Sequence, residues 1–278
     1  MFYCQKEHKF AVNIDMDMRQ IVDKNELRKI QIDILDNVAE YCDNNNIIYS
    51  LSSGTLLGAI RHKGYIPWDD DIDLYMHRND YNRFINKYCD SNNRYELKCQ
   101  GSKKYLYTYA KVCDKHTLLI EDEVKGFELG VNIDIFPVDY VNDDIDKRKK
   151  LWWWKKKLYR IRRAKLQDTN FLDSRINYLC YRYVPVPLCV IDKIIHCLFQ
   201  DNKPTNTMCN LTESGGRYDG CFSRECIEGT PVQVEFEGKI YNAMSGWEEY
   251  LKATYGDYLQ LPPEDQRVTH HFLAYYLD

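Results

Sequence analysis

The chain has 278 residues, 44% hydrophobic and 29% charged, with a net charge of −4. That length can bury a sizeable core and that composition is ordinary for a soluble globular protein, which excludes disordered and fibrous classes. The acidic balance argues against nucleic acid as a partner.

In chain order, "NELRKIQIDILDNVAEYCDNNN" places Leu27, Ile30, Ile34, Val38 and Tyr41 at helical spacing before an Asn-rich stop. "IIYSLS" reads as a short strand, and "GTLLGAIRHKG" as a short helix ended by Gly64. "DIDLYM" is a second strand, after which Asn79 or Asp80 caps a helix through "DYNRFINKY". Strands follow at "YELKCQ", "YTYAKVCD", "TLLIEDE" and "GVNIDIFPVDYV". Residues 20–141 thus read as a mixed α/β pattern.

From Lys147 to Lys165 the chain changes character: "KRKKLWWWKKKLYRIRRAK" holds no acid. An amphipathic helical region broken by Pro185 and Pro187 comes next. The tail returns with a hairpin, "VQVEFEGKIYNA", turning at Glu237-Gly238, and a helix, "GWEEYLKATYG". There is no repeat and no linker, so we expect one domain over 1–278. Its core spans 20–141 and 221–278, and 142–220 forms a basic, aromatic helical insertion.

The N-terminal "MFYCQKEHKFAVN" lacks the pattern of a signal peptide, and no stretch approaches the roughly eighteen apolar residues that span a bilayer. A cytoplasmic location follows as the expectation. The eleven cysteines include no Cys-x-x-Cys pair and read as reduced thiols packed as small hydrophobes. Cys209, Cys221 and Cys226 with His270 and His271 match no common zinc spacing.

The chemistry concentrates in "SSGTLLGAIRHKGYIPWDDDIDLYM". On a strand, Asp69, Asp71 and Asp73 fall on one side while Ile72 and Leu74 enter the core. Asp134 stands between Ile133 and Ile135 in the same manner. Buried without partners, such carboxylates cost several kcal/mol each. Two Mg²⁺ or Mn²⁺ ions about 4 Å apart satisfy them together and prepare phosphoryl transfer. The bland alternative is an acidic loop that caps the next helix. Upstream, Ser53-Gly54-Thr55 leaves a strand and opens a helix, a turn whose N–H groups suit a phosphate. Arg61 and Lys63 can meet phosphate oxygens or simply end a solvated helix. Lys111 faces either the donor or solvent.

Gly-x-Leu-Leu-Gly…Arg…Pro-Trp-Asp-x-Asp-x-Asp, continued in "NIDIFPVD" and in the tail from Val234, resembles the LicD family of phosphotransferases, relatives of the fukutin-related proteins. The resemblance implies a nucleotidyltransferase-like mixed sheet with flanking helices. It implies transfer of a phosphorylated alcohol, phosphocholine foremost, from a CDP-linked donor to a hydroxyl of a glycan, lipopolysaccharide or teichoic acid precursor, releasing CMP. It makes Asp69, Asp71, Asp73 and Asp134 metal ligands, and places Gly54 and Thr55 in the phosphate-holding turn, where many nucleotidyltransferases have Gly-Ser. In the mechanism expected, Asp71, Asp73, Asp134 and Arg61 carry the chemistry, and Ser53, Lys63, Trp68 and Lys111 bind substrate. A choline head calls for aromatic faces near an acid, for which Trp68, Tyr65, Tyr107 and Tyr109 are candidates. Two rivals remain: a nucleotidyltransferase that leaves NMP on its target, and a silent binder of anionic glycans.

In the basic segment, Leu151, Trp154, Leu158 and Ile161 form one helical stripe suited to a core, leaving Trp152, Trp153 and the lysines outside it. That surplus suits peripheral contact through 147–165 with the inner face of an anionic membrane, or with a lipid-linked acceptor.

Overall fold

The computed structural model describes residues 18–103, 105–121, 129–167, 171–172, 174–199, 203–212, 220–267 and 272–277. The elements run β1 (Gln20–Ile21), α1 (Lys24–Asn44), β2 (Ser50–Leu51), α2 (Ser53–His62), β3 (Asp73–His77), α3 (Arg78–Lys87), β4 (Tyr95–Lys98), β5 (Ala110–Asp114), β6 (Thr117–Glu121) and β7 (Asn132–Val141). They continue with α4 (Ile145–Leu166), α5 (Arg175–Arg182), α6 (Leu188–Phe199), β8 (Thr207–Cys209), β9 (Phe222–Ser223), α7 (Glu225–Glu228), β10 (Val232–Phe236), β11 (Lys239–Ala243), α8 (Trp247–Tyr255) and β12 (Phe272–Tyr276). His270 and His271 lie outside the described residues.

The fold is mixed α/β. Its main sheet runs β10-β11-β2-β3-β7-β5-β4, with β8 and β9 added beside the second half of β7. β3 lies parallel to β7, and β5 antiparallel to it. β1, β12 and β6 form a small separate antiparallel sheet. Pro137 sits within β7, although proline cannot donate to a ladder. It falls where the antiparallel neighbour changes: β5 pairs up to Ile135, and β8 begins at Asp139.

α1 forms where the sequence places it, capped by the Asp23 side chain, which accepts from the Asn25 N–H at 2.9 Å. Its Leu27, Ile30, Ile34 and Val38 stripe enters the principal core with Leu51, Leu56, Ile72, Leu74, Ile133 and Ile135. Two helix ends differ from expectation. α3 is capped by His77, whose Nδ1 accepts from the Asn79 N–H, because the strand runs directly into the helix. α2 ends through Lys63 in the left-handed conformation, φ 58°, rather than at Gly64. The 232–243 hairpin turns as expected, with Glu237 (φ 51°) and Gly238 (φ 75°) both left-handed.

The segment after β7 builds a second hydrophobic cluster from Val141, Trp152, Leu158, Ile191, Ile195, Cys209 and Leu211. Here the expected stripe is rotated. Trp152 is buried and Trp154 is 52% exposed, the reverse of the reading from spacing. The buried face of α4 carries two cations, which spacing alone assigns to solvent. Lys155 is 1% exposed and lies over the Trp152 and Tyr159 rings, 4.8 and 5.8 Å from their centroids. Arg162 donates to Asp192 at 2.8 Å and to the carbonyls of Tyr105 and Leu106. Among the described residues no helix is long and apolar enough to cross a membrane.

Arg78 donates twice to Asp139, at 2.6 Å from Nε, both side chains being buried. Burial pushes the Asp139 carboxyl above its usual range, and Arg78 opposes that shift. Arg78→Met strands this carboxylate in the core and should cost about 3–5 kcal/mol in urea denaturation. A loss below about 1 kcal/mol would mean that the carboxylate takes up a proton without strain.

Candidate active site

Sheet register assembles one half of the site. Asp73 on β3 sits directly beside Asp134 on β7, and Asp134 directly beside Lys111 on β5. Neighbours in register project to the same face, so two carboxylates and an ammonium form one row. The next row on that face is Tyr75, Phe136 and Tyr109, whose rings pack at 6.1 and 4.3 Å between centroids. Lys111 is buried, which excludes the solvent-facing alternative. Its ammonium donates to Asp134 Oδ1 at 2.6 Å and to Asn132 Oδ1 at 3.0 Å, and lies 4.8 and 5.6 Å from the Tyr107 and Tyr109 ring centroids. Asp134 therefore has a cation supplied by the protein itself.

The other half is a loop rather than a strand. β3 begins only at Asp73, so Asp69, Asp70 and Asp71 do not share a strand face with it. Instead Asp69, Asp70 and Asp71 bring carboxylate oxygens within 4.8 Å of one another. The strand cannot extend backwards because α1 grips the loop by its backbone. Lys24 donates to the Pro67 carbonyl at 3.3 Å, Arg28 to those of Ile66 (3.1 Å) and Asp69 (2.9 Å), and Gln31 to that of Asp70 (2.7 Å). Positions 24, 28 and 31 share one helix face, a signal present in the sequence but hidden beneath the stronger apolar stripe. Burial, with Arg28 alongside, lowers the Lys24 pKa, while Asp70 and Asp69 oppose that.

α2 meets the loop through Gly54 and Gly58, four residues apart on one face. A Cβ on Gly54 would stand 2.4 Å from Asp69 Oδ2, and one on Gly58 would stand 2.4 Å from the Gly64 carbonyl oxygen. At Gly58 the neighbour is backbone and glycine is a requirement of close approach, while at Gly54 it leaves room for the Asp69 carboxylate. The Asp69 carboxylate thus rests against the N-terminal turn of α2, where the helix dipole favours negative charge. Ser53 begins that turn at φ 47°, a strained value for a residue with a side chain, and its N–H donates to the Tyr250 hydroxyl at 3.2 Å. Burial keeps that phenol protonated by raising its pKa. Tyr250 carries no signal in the sequence, since it lies 197 residues from Ser53.

The structure places the remaining expected site residues as follows. The Thr55 hydroxyl is buried and accepts from the Asp73 N–H at 2.9 Å, so it anchors the start of β3. Arg61, one helix length from Gly54, donates to the Tyr258 carbonyl at 2.9 Å and pins the tail. Lys63 is exposed at the same far end. Trp68 is half-buried, with the Arg267 guanidinium 4.9 Å from its ring centroid. Tyr65 is buried beneath Arg28 and so presents no open aromatic face, whereas Tyr107 and Tyr109 are half-buried beside Lys111.

The clustered donors are carboxylate oxygens, and the carbonyls of Ile66, Pro67, Asp69 and Asp70 already accept from α1. That chemistry fits a hard divalent cation.

The family model described as "LicD/FKTN/FKRP, nucleotidyltransferase domain" matches residues 46–177, a span that includes α2, the aspartate loop, β3, β5 and β7. The Haemophilus influenzae lipopolysaccharide cholinephosphotransferase LicD is 33% identical over 269 residues, covering 91% of this chain and 97% of that protein. This chain belongs to the LicD family. Membership makes it an enzyme. Two uncharacterised Rickettsia proteins share shorter stretches with this LicD family chain. The one from Rickettsia typhi is 37% identical over 29% of this chain and 27% of its own length. The one from Rickettsia prowazekii is 48% identical over 17% and 18%.

Gly54→Ala should displace Asp69 while leaving the cores untouched. We expect a melting temperature close to wild type and at least a tenfold loss of Mn²⁺ affinity by calorimetry. Unchanged affinity would show that the Asp69 carboxylate is not a ligand.

Proposed function

We propose that the protein transfers phosphocholine from CDP-choline to a hydroxyl of a cell-surface glycan precursor, of lipopolysaccharide or teichoic acid, with Mg²⁺ or Mn²⁺ as its cofactor. The observation that carries this reading is the convergence of the Asp69–Asp71 loop, the α2 N-terminus and the Asp73–Asp134–Lys111 row in a chain that aligns with a cholinephosphotransferase over nearly its whole length.

In this reading Asp69, Asp71, Asp73 and Asp134 would hold the metal, which would supply positive charge against the donor diphosphate and the departing CMP. The chain's own groups do the rest. The Ser53–Gly54 turn presents backbone N–H groups to a donor phosphate. Lys111 fixes the Asp134 carboxylate, which orients the acceptor hydroxyl and takes its proton. The acceptor oxygen bonds to the choline-bearing phosphorus. The bond from that phosphorus to the bridging oxygen breaks, and its electron pair leaves with CMP. Tyr107 and Tyr109 offer ring faces beside the row, and such faces suit a quaternary ammonium. Positioning and electrostatics supply most of the rate.

Asp73→Asn and Asp134→Asn should each lower turnover of CDP-choline at least a thousandfold at saturating Mg²⁺, with the fold retained by circular dichroism. The nucleotide product should be CMP. Diphosphate release from CTP would establish NMP transfer instead, and near wild-type turnover in both variants would remove these carboxylates from the chemistry.

A further inference from the structure

The second cluster of the fold has an outer side that the catalytic reading does not use. Between residues 145 and 199 the sequence carries fourteen Lys and Arg against four Asp, in a chain whose net charge is −4. The same stretch holds many of the large apolar side chains left in solvent. On α4 these are Trp153 and Trp154, 50% and 52% exposed; on α5 Ile176, Leu179 and Tyr183 stand out; on α6 Val190, Ile194 and Leu198 do. The spacings are helical: 176, 179 and 183 follow one face of α5 into its C-terminal cap, and 190, 194 and 198 follow one face of α6. Tyr178 is buried on the opposite side of α5, while Ile191 and Ile195 are buried on the flank of α6 next to its exposed stripe. Each of these two helices thus carries an exposed apolar stripe beyond its buried one.

Charge placement points the same way. Lys147, Arg148, Lys149 and Lys150 occupy the first turns of α4, the end of a helix where cations are disfavoured by its dipole. Trp153 and Trp154 meet edge to face at 4.8 Å, with the Lys157 ammonium 3.7 Å from the Trp153 ring centroid. Paired indoles ringed by cations match the headgroup layer of a bilayer, where tryptophan lies at the apolar boundary and lysine meets lipid phosphate. No described helix spans a membrane, so contact would be in the interface plane. α6 turns back along α4, since Asp192 meets Arg162 and the Val184 carbonyl meets Lys165.

We propose that α4, α5 and α6 form a docking surface for an anionic lipid bilayer, with Trp153 and Trp154 as its anchors. The surface differs from the one that spacing suggests: Lys155 is buried against Trp152 and does not take part, and α5 and α6 do. It is independent of the catalytic assignment, because none of its residues belongs to the active site.

The test is sedimentation of the full chain with vesicles. Wild type should pellet with phosphatidylglycerol-rich vesicles at low salt, stay soluble with pure phosphatidylcholine, and be released as salt is raised. Trp153→Ala with Trp154→Ala should weaken partition at least tenfold at unchanged melting temperature. Lys147→Ala, Lys150→Ala and Lys156→Ala together should weaken it about a hundredfold. Ile194→Ser with Leu198→Ser should also weaken it; full binding by that variant would confine contact to α4 and overturn the three-helix surface. Failure of wild type to pellet with anionic vesicles would overturn the proposal. So would loss of binding on lysine replacement with no effect of the tryptophans, which would mark a site for soluble polyanions instead. Turnover on a short soluble acceptor serves as the folding control.

Discussion

Carboxylates repel, and this protein brings five of them, Asp69, Asp70, Asp71, Asp73 and Asp134, to the N-terminal ends of two central strands and the loop before them. Everything around them manages that repulsion. The loop is fixed from outside through its backbone, by Lys24, Arg28 and Gln31 of α1. Glycine at position 54 lets the Asp69 carboxylate settle against a helix N-terminus. Lys111 supplies Asp134 with a buried cation. Relaxing any of these would let the carboxylates move apart, and a relaxed cluster loses its advantage for a multivalent cation. In the proposed function, a positively charged ligand offsets the cost in stability of that crowding.

The same logic separates the two acids of β7. Asp134 and Asp139 look alike in the sequence, each a lone carboxylate in an apolar strand. Register sends Asp134 to the row with Asp73 and Lys111, near the loop. Asp139 lies five residues on, where Arg78 closes on it with two hydrogen bonds and both groups are buried. One acid is partly exposed and faces the site, while the other is a structural ion pair. Period-2 alternation puts positions 134 and 139 on opposite faces of β7, and the partner strands decide which face meets Asp73 and Lys111 and which meets Arg78.

Much of the fold was legible in the residues. α1, α2, the 232–243 hairpin and the succession of strands along the chain followed from apolar spacing and turn chemistry, which are local properties. The aspartate-rich motif and its Gly-Thr turn were visible too, and the structure brings Gly54 against Asp69. What escaped was tertiary. The start of β3 depends on a grip from α1, tens of residues away in the chain. Thr55 spends its hydroxyl on the Asp73 N–H, and Arg61 spends its guanidinium on carbonyls of the tail. The rotation of α4 escaped because spacing treats Lys155 and Arg162 as solvent-facing. Aromatic rings and Asp192, from elsewhere in the chain, make their burial tolerable. The chain thus divides into a sheet that carries the aspartate cluster and a basic helical flank, and the run of cations from Lys147 to Lys165 already marks that division in the composition.

The central claim is that the loop and the sheet row form one cation site. Anomalous diffraction from crystals soaked in Mn²⁺ and CDP-choline tests it most directly. The account predicts an anomalous peak bonded to carboxylate oxygens from both parts, the Asp69–Asp71 loop and Asp73, with the donor diphosphate sharing it. A peak held by the loop alone, with the diphosphate elsewhere, would contradict the account.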